Sequence, residues 1–450
     1  MSSTWTTFIV GQFGWTSKSS FSPCLKALLV LMLTKPYSQY LVKGMTMKRY
    51  TGFVLGLLPV WVGAVEPLAL STESGIEFIP TLHTYYRFDD NIAKQEADSS
   101  HVSTIGVKPA LLARIDRNQY KADFIYVADF GRSSDEQNDY LDHKFQTTNY
   151  FTFNHRNRLV LDYQFRLGHE TRGEGLTEGE QSSIALPELI TFQSNQLKSN
   201  YVFGASGSQG RLEFGLNYLD KTFTKYENGT STLTATKYSD FRTPSLHGEF
   251  YYRLRPETYW LVGSQLHVTE YLHERESVAS RDGTSTFVYT GVSWEITGKT
   301  KGTAKLGYQI KEFDDKQRAT FEGLSWDISL SWQPQEHTTW TVLTTQAAVN
   351  PEQDGDYNLQ TRYSLQLDQA WNSYFVTSLK GLYQQDDYTG SYQSGVLREE
   401  ERFQLSAEAQ YQFRRWARID AAWQYQDKTS NWSGYSFDQH IWTVTARLSL

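Results

Sequence analysis

From residue 75 onward the chain alternates apolar and polar side chains in segments of about 11–14 residues, separated by turn-forming residues. The last segment is the plainest. Trp442, Val444, Ala446, Leu448 and Leu450 occupy one phase, and Thr443, Thr445, Arg447 and Ser449 the other. Similar rows recur at 159–167, 212–218, 324–332, 403–413 and 417–425. Successive side chains of a strand point to opposite faces, so this pattern predicts one face in an apolar medium and one in water.

The connections follow a metre of their own. Short turns are predicted at 116–118, 155–157, 207–210, 255–257, 297–299, 333–335, 370–372 and 414–415. Longer polar stretches fall near 89–101, 132–142, 173–190, 227–240, 273–283, 314–320, 350–357, 386–399 and 428–437. Nine long loops interleaved with eight short turns give eighteen strands, running from 76–88 to 441–450. Strict alternation places the long loops on one rim and the short turns on the other, as outer-membrane barrels do. A soluble propeller or sandwich would turn its polar phase outward. Tyr and Trp at strand ends, with Gln, Arg and Asp in the other phase, argue against that. The expected fold is all-β, a transmembrane antiparallel β-barrel of about 18 strands with both termini periplasmic. Its expected place is the outer membrane of a Gram-negative bacterium, among outer-membrane lipid and lipopolysaccharide.

Composition adds a few bounds. The 450 residues include 29 Tyr, 25 Phe and 13 Trp against 11 Pro and 4 Met, a bias that suits strands and membrane interfaces. Past the N-terminal region no apolar run approaches the roughly 20 residues of a membrane-spanning helix. The net charge of −7 and the lack of a basic stripe disfavour nucleic acid as a partner. Cys24 is the single thiol, which fits a chain that crosses an oxidising compartment. Met47-Lys48-Arg49, an apolar stretch at 50–62 and the small residues up to Ala64 read as a signal peptide, cleaved between Ala64 and Val65. The expected organisation is an over-long extension at 1–44, a signal peptide at 45–64, a periplasmic lead at 65–75 and a barrel at 76–450.

If the apolar rows face lipid, the other phase faces the lumen. The candidate lumen-lining residues are Lys108, Arg114, Lys121, Asp123, Asp129, Asp162, Arg166, Glu213, Arg253, Arg362, Glu408, Arg418, Asp420 and Arg447, interleaved with glutamines. Mixed charge with many amides suits a hydrophilic solute and lacks the one-signed ring of an ion-selective pore. For each residue singly, bracing the wall across strands is the competing role. A barrel of about 16–18 strands leaves an aqueous channel. The short lead offers no plug domain, so any constriction is expected from an inward-folded loop, with 173–190 the longest candidate.

Enzyme chemistry has no clear footing in the sequence. Gly204-Ala205-Ser206-Gly207-Ser208-Gln209-Gly210 reads as a tight turn rather than a nucleophile loop. His267 and His273 approach the long-loop rim with no Ser or Asp that the sequence can place beside them. Asp354-Gly355-Asp356 reads as a solvated turn, and no metal or cofactor is expected.

Several stretches resemble the Putative beta-barrel porin 2 family of outer-membrane proteins, often associated with exopolysaccharide or capsule production. They are Pro80 with Tyr85-Tyr86-Arg87-Phe88-Asp89-Asp90-Asn91-Ile92, then Val107-Lys108-Pro109, Asn138-Asp139-Tyr140 and Glu170-Thr171-Arg172-Gly173. In that family an aromatic residue and an Asp-Asn pair close the first strand, which marks Asp89, Asp90 and Asn91. The resemblance implies a polysaccharide channel paired with a periplasmic polysaccharide-export protein. Trp442, Leu448 and Leu450 would form the assembly signal read by the barrel-assembly machinery, weakened because the final residue is not Phe. An uptake porin for small hydrophilic solutes and an adhesive barrel are the other expectations.

Overall fold

The computed structural model describes residues 69–449 apart from 98, 185–187, 224–235, 277, 297, 354 and 394. The expected extension, the signal peptide with Ala64 and Val65, Cys24 and the terminal Leu450 lie outside the described residues.

Segments rich in aromatic and β-branched residues form the strands. These are β1 (Leu70–Ser71), β2 (Ile76–Asp89), β3 (Val102–Asp116), β4 (Tyr120–Ser133), β5 (Tyr140–Asn154), β6 (Asn157–His169) and β7 (Thr191–Phe203). They continue with β8 (Gly210–Phe223), β9 (Phe241–Arg255), β10 (Thr258–Tyr271), β11 (Gly283–Ile296), β12 (Thr300–Phe313) and β13 (Phe321–Gln335). The last are β14 (Thr338–Val349), β15 (Tyr357–Ala370), β16 (Phe375–Gln393), β17 (Val396–Arg414), β18 (Ala417–Ser430) and β19 (Phe437–Ser449). Each strand from β2 to β18 pairs antiparallel with the next, and β19 returns to β2 from Ile441↔Asp89 to Ser449↔Thr81. The result is a closed eighteen-stranded barrel. β3 covers one edge of β2 from Ile76, whereas β19 reaches down the other edge only to Thr81. The two residues of β1 pair with Glu77 and Phe78 and cover part of that remaining edge.

Strand number and loop metre follow the alternation, but two boundaries do not. The stretch 386–399 was expected as a long loop, yet β16 and β17 run on through it and only residues 394 and 395 separate them. Asp386↔Glu400 and Asp387↔Glu399 are in register there, which charge would oppose on its own. Arg398 and Lys428 lie against Glu400 and neutralise the inner row. Pro334 was expected in a turn and instead lies within β13, where the register with β14 slips between Trp332 and Gln335. A bulge tolerates proline because no ladder N–H is needed.

Curvature decides which phase is inside. Lys305 on β12 reaches Glu249 on β9 at 2.5 Å, and the Tyr85 hydroxyl on β2 donates to Asp129 on β4 at 2.9 Å. Side chains from strands two or three apart converge only on the concave side of a wall. The opposite phase carries exposed apolar residues, such as Ile105, Leu216 and Leu324 at 66%, 57% and 60% exposure. At the short-turn rim it ends in Phe153, Phe203, Tyr252, Trp332, Trp371 and Trp416, also exposed. Aromatic rings with a wet end and an apolar body belong at a bilayer interface.

Leu216 lies midway along β8 on this outer face. Replacing it with Arg should cost about 2–4 kcal/mol in a bilayer, the typical penalty for a cation at the midplane. Denaturant unfolding from liposomes would measure this, and a loss no larger than that of Leu216→Ala would reject the lipid-facing assignment.

Candidate functional site

The inner wall is laced by neighbouring strands. Arg114 binds Asp123 through Nε at 2.8 Å, Lys121 meets Asp116 at 2.8 Å and Lys108 meets Asp129 at 2.6 Å. Arg418 and Arg447 stand opposite each other in register and share Asp420. Glu213 pairs with Arg211 at 2.8 Å, and Asp162 accepts from the Thr148 hydroxyl at 2.6 Å. Arg362 donates to Gln384, Glu408 accepts from Gln410, and Arg253 donates to the Gly207 carbonyl. Arg166 has a different surrounding: its guanidinium lies over the Phe192 ring. All fourteen of the residues singled out from the alternation sit on the concave phase, but in separate local contacts, some across strands and some two residues apart along one strand, and not as one constellation.

The residues that do converge lie at the long-loop rim. The β6–β7 connection holds a short 3₁₀ turn at Gly175–Thr177 and one helical turn, α1 (Glu180–Ile184). Its base is anchored where Ile190, Phe192 and Phe223 pack together and Lys221 meets Glu170 at 2.8 Å. From there it reaches across the ring. Glu178 is held by Arg398 of β17 at 2.6 Å and by Lys428 of β18 at 2.5 Å, and both cations also bind Glu400. The Gln353 amide, in the β14–β15 loop eight strands away in an eighteen-strand ring, donates to the Glu178 carbonyl at 2.9 Å. The Glu180 N–H donates to the Gly434 carbonyl in the β18–β19 loop at 2.8 Å. This loop therefore crosses the barrel mouth and is latched on the far side. Arg398 is 2% exposed and also lies over the rings of Tyr388 and Tyr435, at 4.3 and 4.5 Å from their centroids.

A second tie secures the loop near the barrel seam. Lys94, in the β2–β3 loop, is bonded to Glu174. Its backbone takes the left-handed conformation, φ 54°, which costs an ordinary residue about 1–2 kcal/mol and is offset here by the ion pair. Just before it, Asp89, Asp90 and Asn91 join the first and last strands. The Asp89 carboxylate accepts from the Asn91 N–H and the Gln439 amide at 3.0 and 2.8 Å. Asp90 accepts from the His440 N–H at 2.6 Å, and the Asn91 amide donates to the Asp438 carbonyl at 2.8 Å. Below the loop lies a cavity of about 210 Å³ lined in part by Arg87, Lys94, Tyr140, His169, Glu174 and Gln426. Gly106 makes room for the Tyr85 ring, whose Cζ lies 1.9 Å from where a Cβ would stand, and the Tyr85 hydroxyl is bonded to that of Tyr140 in the cavity wall.

Sequence reasoning missed Glu178, Arg398, Glu400 and Lys428. Arg398 was hidden in the stretch read as a loop, and no local pattern ties it to Glu178, which lies 220 residues earlier. The rim also corrects two expectations. Ser245 does stand beside His267, with its Oγ 2.8 Å from Nδ1, and Asp240 lies 3.7 Å from His273. These are two separate pairs, and among the described residues no carboxylate is bonded to the histidine that holds the serine. Asp356 is not a solvated turn residue: it accepts from Arg318 at 3.0 Å and the Ala319 N–H at 2.9 Å. Its neighbour Asp354 lies outside the described residues.

Burial pushes the Glu178 carboxyl up, but Lys428 and Arg398 outweigh it and hold it down at about 2. A depressed folded value means the latch is complete above the ordinary carboxylate range and weakens only as pH falls toward 2. Removing one member of a buried ion cluster costs about 3–5 kcal/mol, because the partners stay buried and uncompensated. Glu178→Gln should therefore raise conductance in planar bilayers several-fold, while the wild-type conductance stays flat between about pH 5 and 8. Equal conductance in the two proteins would show that the loop is not held by this carboxylate.

The Putative beta-barrel porin 2 family model matches residues 77–450. No curated protein matches the chain. Among solved structures, OpdQ of Pseudomonas aeruginosa aligns at 10% identity over 83% of this chain and 98% of its own, with a TM-score of 0.45. A BenF-like porin from Pseudomonas fluorescens Pf-5 aligns at 11% identity over 84% and 99%, with a TM-score of 0.43. The FrpB iron transporter from Neisseria meningitidis (F3-3 variant) aligns at 10% identity over 83% and 81%, with a TM-score of 0.45. With its closed eighteen-stranded wall and a family match over nearly the whole of that wall, the chain belongs to the Putative beta-barrel porin 2 family of outer-membrane β-barrel channels.

Proposed function

We propose that this porin-like channel exports a nascent exopolysaccharide or capsular polysaccharide, working with a periplasmic export protein. The observation that carries the reading is the β6–β7 loop, latched across the mouth by buried charges on the far wall. In a diffusion porin an inward-folded loop narrows the pore, whereas this one reaches the far wall and is held there by buried ion pairs. An exporter needs a mouth that stays shut until cargo or a partner displaces the loop. In this reading the long-loop rim faces outward and the short turns and both termini face the periplasm, as in other outer-membrane barrels. The polar pairs from Lys108–Asp129 to Arg418–Asp420 line the lumen. Their spare hydrogen-bonding capacity lets sugar hydroxyls exchange weak bonds while they pass. Trp442 and Leu448, on the outer phase of the last strand, present the assembly signal to the barrel-assembly machinery.

Two measurements test this. Deleting the gene should abolish surface polysaccharide while precursors persist inside the cell; unchanged surface polysaccharide rejects export. Single-channel recordings of the purified wild type should be nearly silent, whereas a constitutively open pore that passes small ions would favour solute uptake.

A further inference from the structure

The cavity beneath the crossing loop contains hydrogen-bond donors that the protein does not use. Arg87, on the concave phase of β2, has no hydrogen-bond or ion-pair partner among the described residues, and its Nε is buried. The Gln426 side chain is 4% exposed and its amide nitrogen has no acceptor. A buried donor left unmatched costs about 1–3 kcal/mol, which an incoming acceptor recovers. The acids in the same wall are already engaged, Glu174 with Lys94 and Asp89 with Gln439 and the Asn91 N–H. Beside the donors, with the Arg87 guanidinium 6.0 Å from the Tyr140 centroid, the rings of Tyr140 and His169 lie 4.3 Å apart between centroids and offer an apolar surface. At about 210 Å³ the space is smaller than the roughly 300–1,000 Å³ of sites for drug-sized ligands, which limits it to about one ring.

Further along the concave phase of β5, four residues from Tyr140, Lys144 stands directly opposite Arg166 of β6. Neither has an acidic partner among the described residues, and like charges in register destabilise a sheet unless an anion lies between them. We infer that this wall binds an acidic saccharide. One carboxylate-bearing sugar ring sits in the cavity, its carboxylate on Arg87 and Gln426 and its ring against Tyr140 and His169. Lys144 and Arg166 meet the next acidic group along the polymer. The site gives a chemical class to the cargo and for that rests on the export reading, but its binding can be measured separately.

The purified barrel in detergent, titrated calorimetrically with glucuronate and with glucose, tests the site. Glucuronate should bind saturably and glucose should not. Arg87→Gln should weaken glucuronate at least tenfold, and Arg87→Lys should restore part of that loss. Retained heat-modifiable mobility on gels would show that each variant is still a folded barrel. Equal binding of the two sugars, or unchanged glucuronate binding in folded Arg87→Gln, overturns the inference. Acid-specific binding together with unchanged surface polysaccharide in the deletion strain would keep the site and reject export. Lost surface polysaccharide without glucuronate binding would do the reverse.

Discussion

Everything in this molecule depends on the pairing of β19 with β2. Inside a bilayer no water is available to backbone N–H and C=O groups, so a sheet there must have no open edge. The return of the last strand onto the first removes the edge for the length of Thr81 to Asp89. β1 covers Glu77 and Phe78 in the part of β2 that β19 does not reach. At the other end of the seam, Asp89, Asp90 and Asn91 bind Gln439, His440 and Asp438 and so hold the closing pair together just where the first long loop departs. That short acidic motif serves closure of the ring as well as capping of its loop.

Closure fixes a concave face, and the concave face fixes what charge can do. Many ionised groups on it find an opposite partner on the same or a nearby strand, so they brace the wall and leave a surface of mixed sign. Exposed pairs of this kind contribute little to stability, about 0–1 kcal/mol each. The Lys305–Glu249 pair is nearly buried and also takes hydrogen bonds from Tyr251 and Tyr289, which compensate its desolvation. Against this background of paired charges, Arg87 and Gln426 at the long-loop rim stand out among the described residues as buried donors without an acceptor.

The loop that crosses the mouth is a different kind of structure from the wall. It has little regular hydrogen bonding of its own, and side chains contributed by other strands hold it in place. Three hydrophobic residues fix its base, and a four-member ion cluster fixes its far end. Such an element can move without disturbing the ladder beneath it, because no strand pairing has to break when Glu178 leaves Lys428 and Arg398. The channel thus combines a continuously hydrogen-bonded wall with a crossing loop held chiefly by side chains.

The sequence by itself determined the wall. Period two sorts side chains between lipid and water by a rule that needs no knowledge of distant residues. Turn residues mark where most strands stop, and Trp442, Val444 and Ala446 reveal their face from local spacing alone. Eighteen strands, the outward phase and the segment long enough to fold inward were all legible in this way. Tertiary structure decided the rest. Glu178 meets Arg398 and Lys428 only because ring closure brings β17 and β18 within reach of the β6–β7 loop. Arg398 also lies in a stretch whose charges read as loop until their partners are known. Arg87 and Gln426 likewise look like ordinary wall residues in the sequence. Whether a polar group is satisfied depends on neighbours supplied by other strands, and a one-dimensional pattern does not carry that information.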